Sequence, residues 1–178
     1  EFHGPNTMMG SRYLGALRSG EEICRYLGDN DKADEYRAVF DLLQKDLEKQ
    51  SKDRRWAHDY SLQFLNRCMF LYFIQRKRWI GDDSEFLATF WKTYKTANQP
   101  KDTFFSRWLS ILFFEAFNNK FHGDHTQFPA DIKEALSLAP YLNGGLFTKN
   151  DLDRKSGFKI SDRRFEQVFK FLERYNFT

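Results

Sequence analysis

Cysteine, proline and glycine are scarce in this chain. Its 178 residues hold two cysteines, four prolines and ten glycines. Cys24 and Cys68 are far apart and fall in apolar helical patterns, which excludes a disulfide framework. Buried free thiols in a reducing cytosol are the expectation, and with them a cytoplasmic location. Few prolines and glycines disfavour a strand-and-turn fold and suit long helices. No signal peptide is present, and the richest apolar stretch, Phe64 to Ile74, is too short and too interrupted to span a bilayer. An initiator Met is also missing, so a processed, cloned or truncated start is expected. One sign of charge does not dominate either: the net charge is +3. The first forty residues carry 5 Lys and Arg against 7 Asp and Glu, leaving 23 against 18 beyond them. That mild basic bias fits a partner such as DNA phosphate and is shared by many inert domains.

What the chain does have is aromatic residues, 18% of the total, with twenty phenylalanines. The length suits one good domain, since about 150 residues bury roughly 70% of their unfolded surface without staples. Tyr13, Leu17, Cys24 and Leu27 share a helical face that ends at Gly28. Ala33, Tyr36, Phe40, Leu43 and Leu47 continue at three- and four-residue steps to about Gln50. The polar patch from Lys49 to Arg55 marks a connection or an exposed turn. From Trp56 to Lys77 the pattern is apolar nearly all round, as in a helix at the centre of its domain.

A fourth helix carries Phe86, Phe90, Trp91 and Tyr94, with Asp82, Asp83 or Ser84 as its cap. Asp102 caps a fifth, which carries Phe105, Trp108, Leu109, Leu112, Phe113 and Phe117. A short helix over Asp131 to Leu138 and a last one from Ser161 or Asp162 through Leu172 complete the set. The expectation is an all-α, irregular bundle of about six or seven helices, with at most one short strand near Phe158 to Ile160.

Catalytic motifs are missing from this pattern. No two of Pro5, Pro100, Pro129 and Pro140 are adjacent, so the Asn/Asp-Pro-Pro-aromatic motif of a DNA amino-methyltransferase is absent. A glycine-rich cofactor turn after a strand is absent too. Pro129-Ala130-Asp131-Ile132-Lys133 only echoes a nuclease motif, and Asp131 reads as a helix cap. His122-Gly123-Asp124-His125 lacks further ligands at suitable spacing and reads as a polar loop, so no metal site is expected.

Two segments remain. Arg76-Lys77-Arg78 beside Trp79 is the best candidate for a DNA-backbone contact, with the cations on phosphates and the indole stacking or wedging. The competing reading, which we weight above it, has the cations meeting the helix dipole and Trp79 anchoring the helix end in the core. Asn143-Gly144-Gly145 reads as a structural loop, a tight turn allowed by positive φ at the glycines and pinned in the core by Tyr141, Leu142, Leu146 and Phe147.

Leu65-Asn66-Arg67 leading into the aromatic helix, Gln75-Arg76-Lys77 before Trp79, the block Pro140 to Phe147, and Phe165 with Tyr175-Asn176-Phe177-Thr178 occur in an order and separation that carry a resemblance. Residues from about Phe40 to Thr178 resemble the helical region preceding the methyltransferase domain of type IIG restriction–modification enzymes and related phage-defence adenine-specific DNA methyltransferases. Two positions depart: Arg78 stands where a glycine is more usual, and Thr148 follows Phe147 where an acid is common. The resemblance implies a non-catalytic helical connector over 41–178, positioning domains and contacting DNA. It implies a parent enzyme using S-adenosylmethionine and Mg²⁺, whose methyltransferase domain lies outside this chain. No cofactor is expected here.

Residues 1–40 differ. Glu1-Phe2-His3-Gly4-Pro5-Asn6-Thr7-Met8-Met9-Gly10-Ser11 and the residues to Glu22 are similar to a piece of the bile-acid β-glucosidase family of glycoside hydrolases. The chain begins just after the place of that family's proposed acid/base aspartate, so a stub lacking the pair of carboxyls is implied. Two resemblances meeting near Phe40 suggest a chimera: a genuine fusion, a cloning product or an assembly error. The helical phase continues smoothly from Tyr36 to Leu47. The alternatives to a DNA-enzyme module are thus a glycosidase fragment and a helical protein-interaction module with no DNA role.

Overall fold

In the computed structural model, the structure describes Arg25, Gly28 and residues 30–142 and 144–174. The helix expected over Tyr13 to Leu27 apart from Arg25, about two thirds of the glycosidase-like stub, Cys24, Asn143 and the Tyr175 to Thr178 block therefore lie outside the described residues. What is described is all-α. Six α-helices follow one another: α1 (Asn30–Ser51), α2 (Arg54–Arg76), α3 (Phe86–Thr96), α4 (Ser110–Phe114), α5 (Ala130–Ser137) and α6 (Asp162–Glu173). No strand occurs among the described residues.

The stripe Ala33, Tyr36, Phe40, Leu43 and Leu47 is the buried face of α1, which runs unbroken through Phe40. Its end is local chemistry. Lys52 takes a left-handed φ of 56°, and the Asp53 carboxylate accepts the Trp56 amide at 2.9 Å, capping α2. With so short a connection α1 folds back along α2, making the most extensive pair among the described helices, and α1 also touches α6. α2 is buried around most of its circumference, as its pattern implied. Two of its polar side chains serve backbone inside the core. Ser61 donates to the Ala57 carbonyl at 2.7 Å, and Gln75 Oε1 accepts the Leu87 amide at 2.8 Å.

That last bond revises the capping of α3. Asp83 accepts the Glu85 amide at 2.7 Å and the Thr89 hydroxyl at 3.0 Å, while the first-turn amide of Leu87 is met from α2 by Gln75. Asp102 does not cap the helix that follows it. Its carboxylate accepts the Asp162 amide at 2.7 Å, at the start of α6. The helix after Asp102 is also irregular, a π turn at Phe105–Leu109 running into α4 and then a 3-10 turn at Ala116–Asn118. Asp131 sits inside the first turn of α5, where Pro129 holds the capping position. Its charge complements the helix dipole without a side-chain cap.

The segment near Phe158 to Ile160, where at most one short strand was expected, forms none. Gln50 gives its Nε2 hydrogen to the Lys159 carbonyl at 3.0 Å and accepts the Lys159 amide at 2.8 Å. One side-chain amide thus substitutes for a neighbouring strand. Phe158, half-buried, packs against Trp56 and Tyr60 at the edge of the core, with ring centroids 4.9 Å from each.

The aromatic content is spent on the core. Phe104 lies against Phe90, Trp91, Tyr94 and Phe165 at 4.7–5.7 Å, and Trp108 meets Phe128 edge to face at 4.9 Å. The Tyr94 hydroxyl accepts the Thr103 amide at 3.2 Å and has the Pro100 carbonyl and the Asp162 carboxylate at 3.0 and 3.1 Å for its own proton. α3, residues 100–103 and α6 are tied together there. Among the described residues no helix is long and apolar enough to cross a membrane.

Candidate nucleic-acid interface and the loop anchored beside it

α2 ends in a Schellman motif. The Arg78 amide donates to the Gln75 carbonyl at 2.8 Å and the Trp79 amide to the Ile74 carbonyl at 3.2 Å. Trp79 meets Phe73 at 6.1 Å and 85°, the apolar contact that accompanies the motif. Arg78 holds the left-handed position at φ 57°. Glycine is the residue that suits this position best, because it has no Cβ to clash. Arg76, Lys77, Arg78 and Trp79 are all exposed. At 50% exposed, Trp79 is a surface residue, against the expectation that it anchors the helix end in the core. Lys77 Nζ lies 5.6 Å from the Phe73 ring centroid. Arg78 stands 3.7 Å from Asp82, with both side chains largely exposed.

The second segment is built from α2 as well. Arg67 is the buried cation at its middle, and Asp153 reaches it from the 3-10 turn Leu152–Arg154, the side chains 1% and 2% exposed. The pairing is a fork. Nη1 and Nη2 of Arg67 donate to Oδ1 and Oδ2 of Asp153 at 2.6 and 2.8 Å. Nε donates to the Leu146 carbonyl at 2.7 Å, and the guanidinium lies 5.0 Å from the Phe114 ring centroid. Gln63 Nε2 donates to Asp153 at 3.2 Å and the Asn150 amide does so at 3.1 Å. Asn118 Nδ2 donates to the Phe147 carbonyl at 2.9 Å, and the Leu142 amide to the Phe117 carbonyl at 3.0 Å.

The block from Leu142 to Asp153 is thus stitched to α2 and to the turn after α4 by buried polar groups that satisfy one another. Only part of the expected turn holds. Gly145 is left-handed at φ 75°, Gly144 is not among the positive-φ glycines, and Asn143 is outside the described residues. Phe147 is buried and Leu142 and Leu146 are half-buried, but Tyr141 is 55% exposed and does not pin the turn.

The two segments meet. Ring contacts run from Trp79 to Phe73, to Phe70, and on to Phe147 at 6.1, 5.9 and 6.0 Å. Local reading missed Arg67 and Asp153, although a lone arginine inside an apolar helix implies a buried partner.

Burial pushes the Tyr60 hydroxyl and the Cys68 thiol well above their ordinary values; Asp153's charge adds to the first and Arg67's opposes the second. Neither is a nucleophile or a base in this state. His125 Nε2 lies 2.7 Å from Glu115 Oε2, and no three His, Cys, Asp or Glu side chains among the described residues come together to hold a metal. A shallow cleft of about 190 Å³ lies between Tyr72, Trp91, Glu166, Phe169 and Glu173, below the ~300 Å³ at which ligand pockets begin. The exposed side chains of Arg76, Lys77, Arg78 and Trp79 offer electrostatic and stacking contacts.

Comparison with curated proteins finds a similarity in sequence. Over 120 residues, 67% of the chain, it is 30% identical to a protein of Methanocaldococcus jannaschii named "putative type II restriction enzyme and methyltransferase". The resemblance is to a restriction–modification enzyme. The chain spans about a tenth of that relative's length. No protein-family model matches the chain, and no solved structure matches it.

Proposed function

We propose that this chain is a non-catalytic helical module of a type IIG-like restriction–modification DNA methyltransferase. It positions neighbouring domains and contacts the DNA backbone through Arg76, Lys77 and Arg78, in an enzyme of phage defence working in the cytoplasm. The parent uses S-adenosylmethionine, and Mg²⁺ for cleavage; its methyltransferase domain is the partner this module serves. The observation that carries the reading is the fork of Arg67 on Asp153. It fixes the loop block rigidly to the helix that presents the cations, which suits a support for other domains. The M. jannaschii relative supports the restriction–modification setting.

A second reading, a helical protein-interaction module, is favoured by the exposure of Leu138 and Tyr141, 69% and 55%, and by Asp82 beside Arg78.

Salt dependence tests the reading. Three phosphate contacts give a slope of log K on log salt of about −3. Retention of random-sequence duplex at low salt, lost with a slope of about −2 to −3, is the expected result. A slope near zero, or methyl transfer from S-adenosylmethionine by the isolated chain, overturns it.

A further inference from the structure

The turn after α2 presents one half-exposed indole among cations. Trp79 has a single ring neighbour among the described residues, Phe73 at right angles to it, and the two Schellman hydrogen bonds fix its backbone. Arg76 and Lys77 have no carboxylate within 4 Å among the described residues, and Arg78 has only the 3.7 Å approach of Asp82. Asp83, the next acid, is turned onto the Glu85 amide and the Thr89 hydroxyl.

Phosphate contact needs cations and no tryptophan. An aromatic face beside cations is the composition of surfaces that take unpaired nucleotides, because every base has a π-face once it is unstacked. In an intact duplex the bases are hidden in their own stack and only the cations find partners. We propose that Trp79 stacks on an unpaired base while Arg76 and Lys77 take the flanking phosphates, so that this turn favours single-stranded or frayed DNA over intact duplex. The proposal rests on the DNA reading above and goes beyond it in naming the form of the nucleic acid.

The test is an anisotropy titration of the full chain at low salt with two labelled probes, an oligothymidylate of roughly twelve nucleotides and a blunt duplex of the same length. The single strand binds several-fold tighter. Trp79→Ala and Trp79→Leu each weaken single-strand binding on the order of tenfold and leave duplex binding within about twofold, while Trp79→Phe retains most of it. Trp79→Leu keeps an apolar contact with Phe73, so its loss separates stacking from folding, and thermal melts confirm the fold of each variant. Equal affinity for the two probes, or Trp79→Leu binding the single strand as wild type does, overturns the stacking proposal and leaves the backbone-contact reading standing. Wild-type chain that binds neither probe overturns both.

Discussion

Replacing Arg67 by leucine removes the centre of the buried polar network. Asp153, 2% exposed, is then left with only the Gln63 amide at 3.2 Å and the Asn150 amide at 3.1 Å as partners. It loses the two shortest bonds it has, at 2.6 and 2.8 Å, and the Leu146 carbonyl loses its donor at 2.7 Å. Breaking a buried pair on one side costs about 3–5 kcal/mol, because an uncompensated charge stays behind. Against a total of roughly 5–15 kcal/mol for a domain, Arg67→Leu leaves the fold marginal. The double variant Arg67→Leu/Asp153→Leu removes both charges and recovers about half of the loss or more, since apolar replacement of a whole pair is often neutral. Urea unfolding followed by circular dichroism at 222 nm measures the wild type, Arg67→Leu, Asp153→Leu and the double variant, and hydrogen exchange reads the loop, where protection over 144–154 falls first. A loss under about 1 kcal/mol for Arg67→Leu, or a double variant as unstable as the sum of the two singles, would refute the reasoning.

Other positions give independent checks. Arg78→Gly relieves the left-handed strain at φ 57° and raises stability by about 0.5–1 kcal/mol in the same unfolding assay, despite the loss of the exposed contact to Asp82. Gly81→Ala destabilises by about 1–3 kcal/mol, because a Cβ there lies 2.9 Å from Ala135 Cβ on a backbone at φ +60°. The Trp56 amide, and then Lys155, hold the Asp53 carboxyl below its usual 3.8. Its folded pKa is depressed, so its contribution is fully present above the unfolded value and disappears as pH falls through the folded one. Asp53→Asn is accordingly less stable than wild type at pH 7, and the two melting curves converge below about pH 3.8.

The helices were legible where periodicity carries the information. Ala33 to Leu47 step by three and four residues, and those five side chains are the buried face of α1. The all-round apolar pattern of Trp56 to Lys77 announced a central helix for the same reason, since each residue reports its own burial. Pairings across the chain are different in kind. Nothing near Asp102 indicates that its carboxylate meets the start of α6, sixty residues on, and Gln50 gives no local sign that it will clasp Lys159. Phe158 and Ile160 alternate as a strand does, but a strand needs a neighbour, and a side-chain amide filled that role. The candidate site divides the same way. The cations at 76–78 were visible as a run, whereas the left-handed φ at Arg78 came only with the structure. Two readings were open for Trp79, stacking on nucleic acid or anchoring the helix end in the core, and the Schellman turn leaves it half exposed. Arg67 and Asp153 went unpaired in the reading because only the fold brings them together.

The central claim is that Arg76, Lys77 and Arg78 carry the contact of this helical module with DNA. Fluorescence anisotropy of a labelled random-sequence duplex at low salt, with wild type against the variant Arg76→Glu/Lys77→Glu/Arg78→Glu, tests it most directly. Wild type is predicted to bind weakly and the reversed variant to bind at least about tenfold more weakly still, as expected when phosphate contacts become repulsions. Equal retention by the two proteins would contradict the account and leave a protein-interaction module in its place.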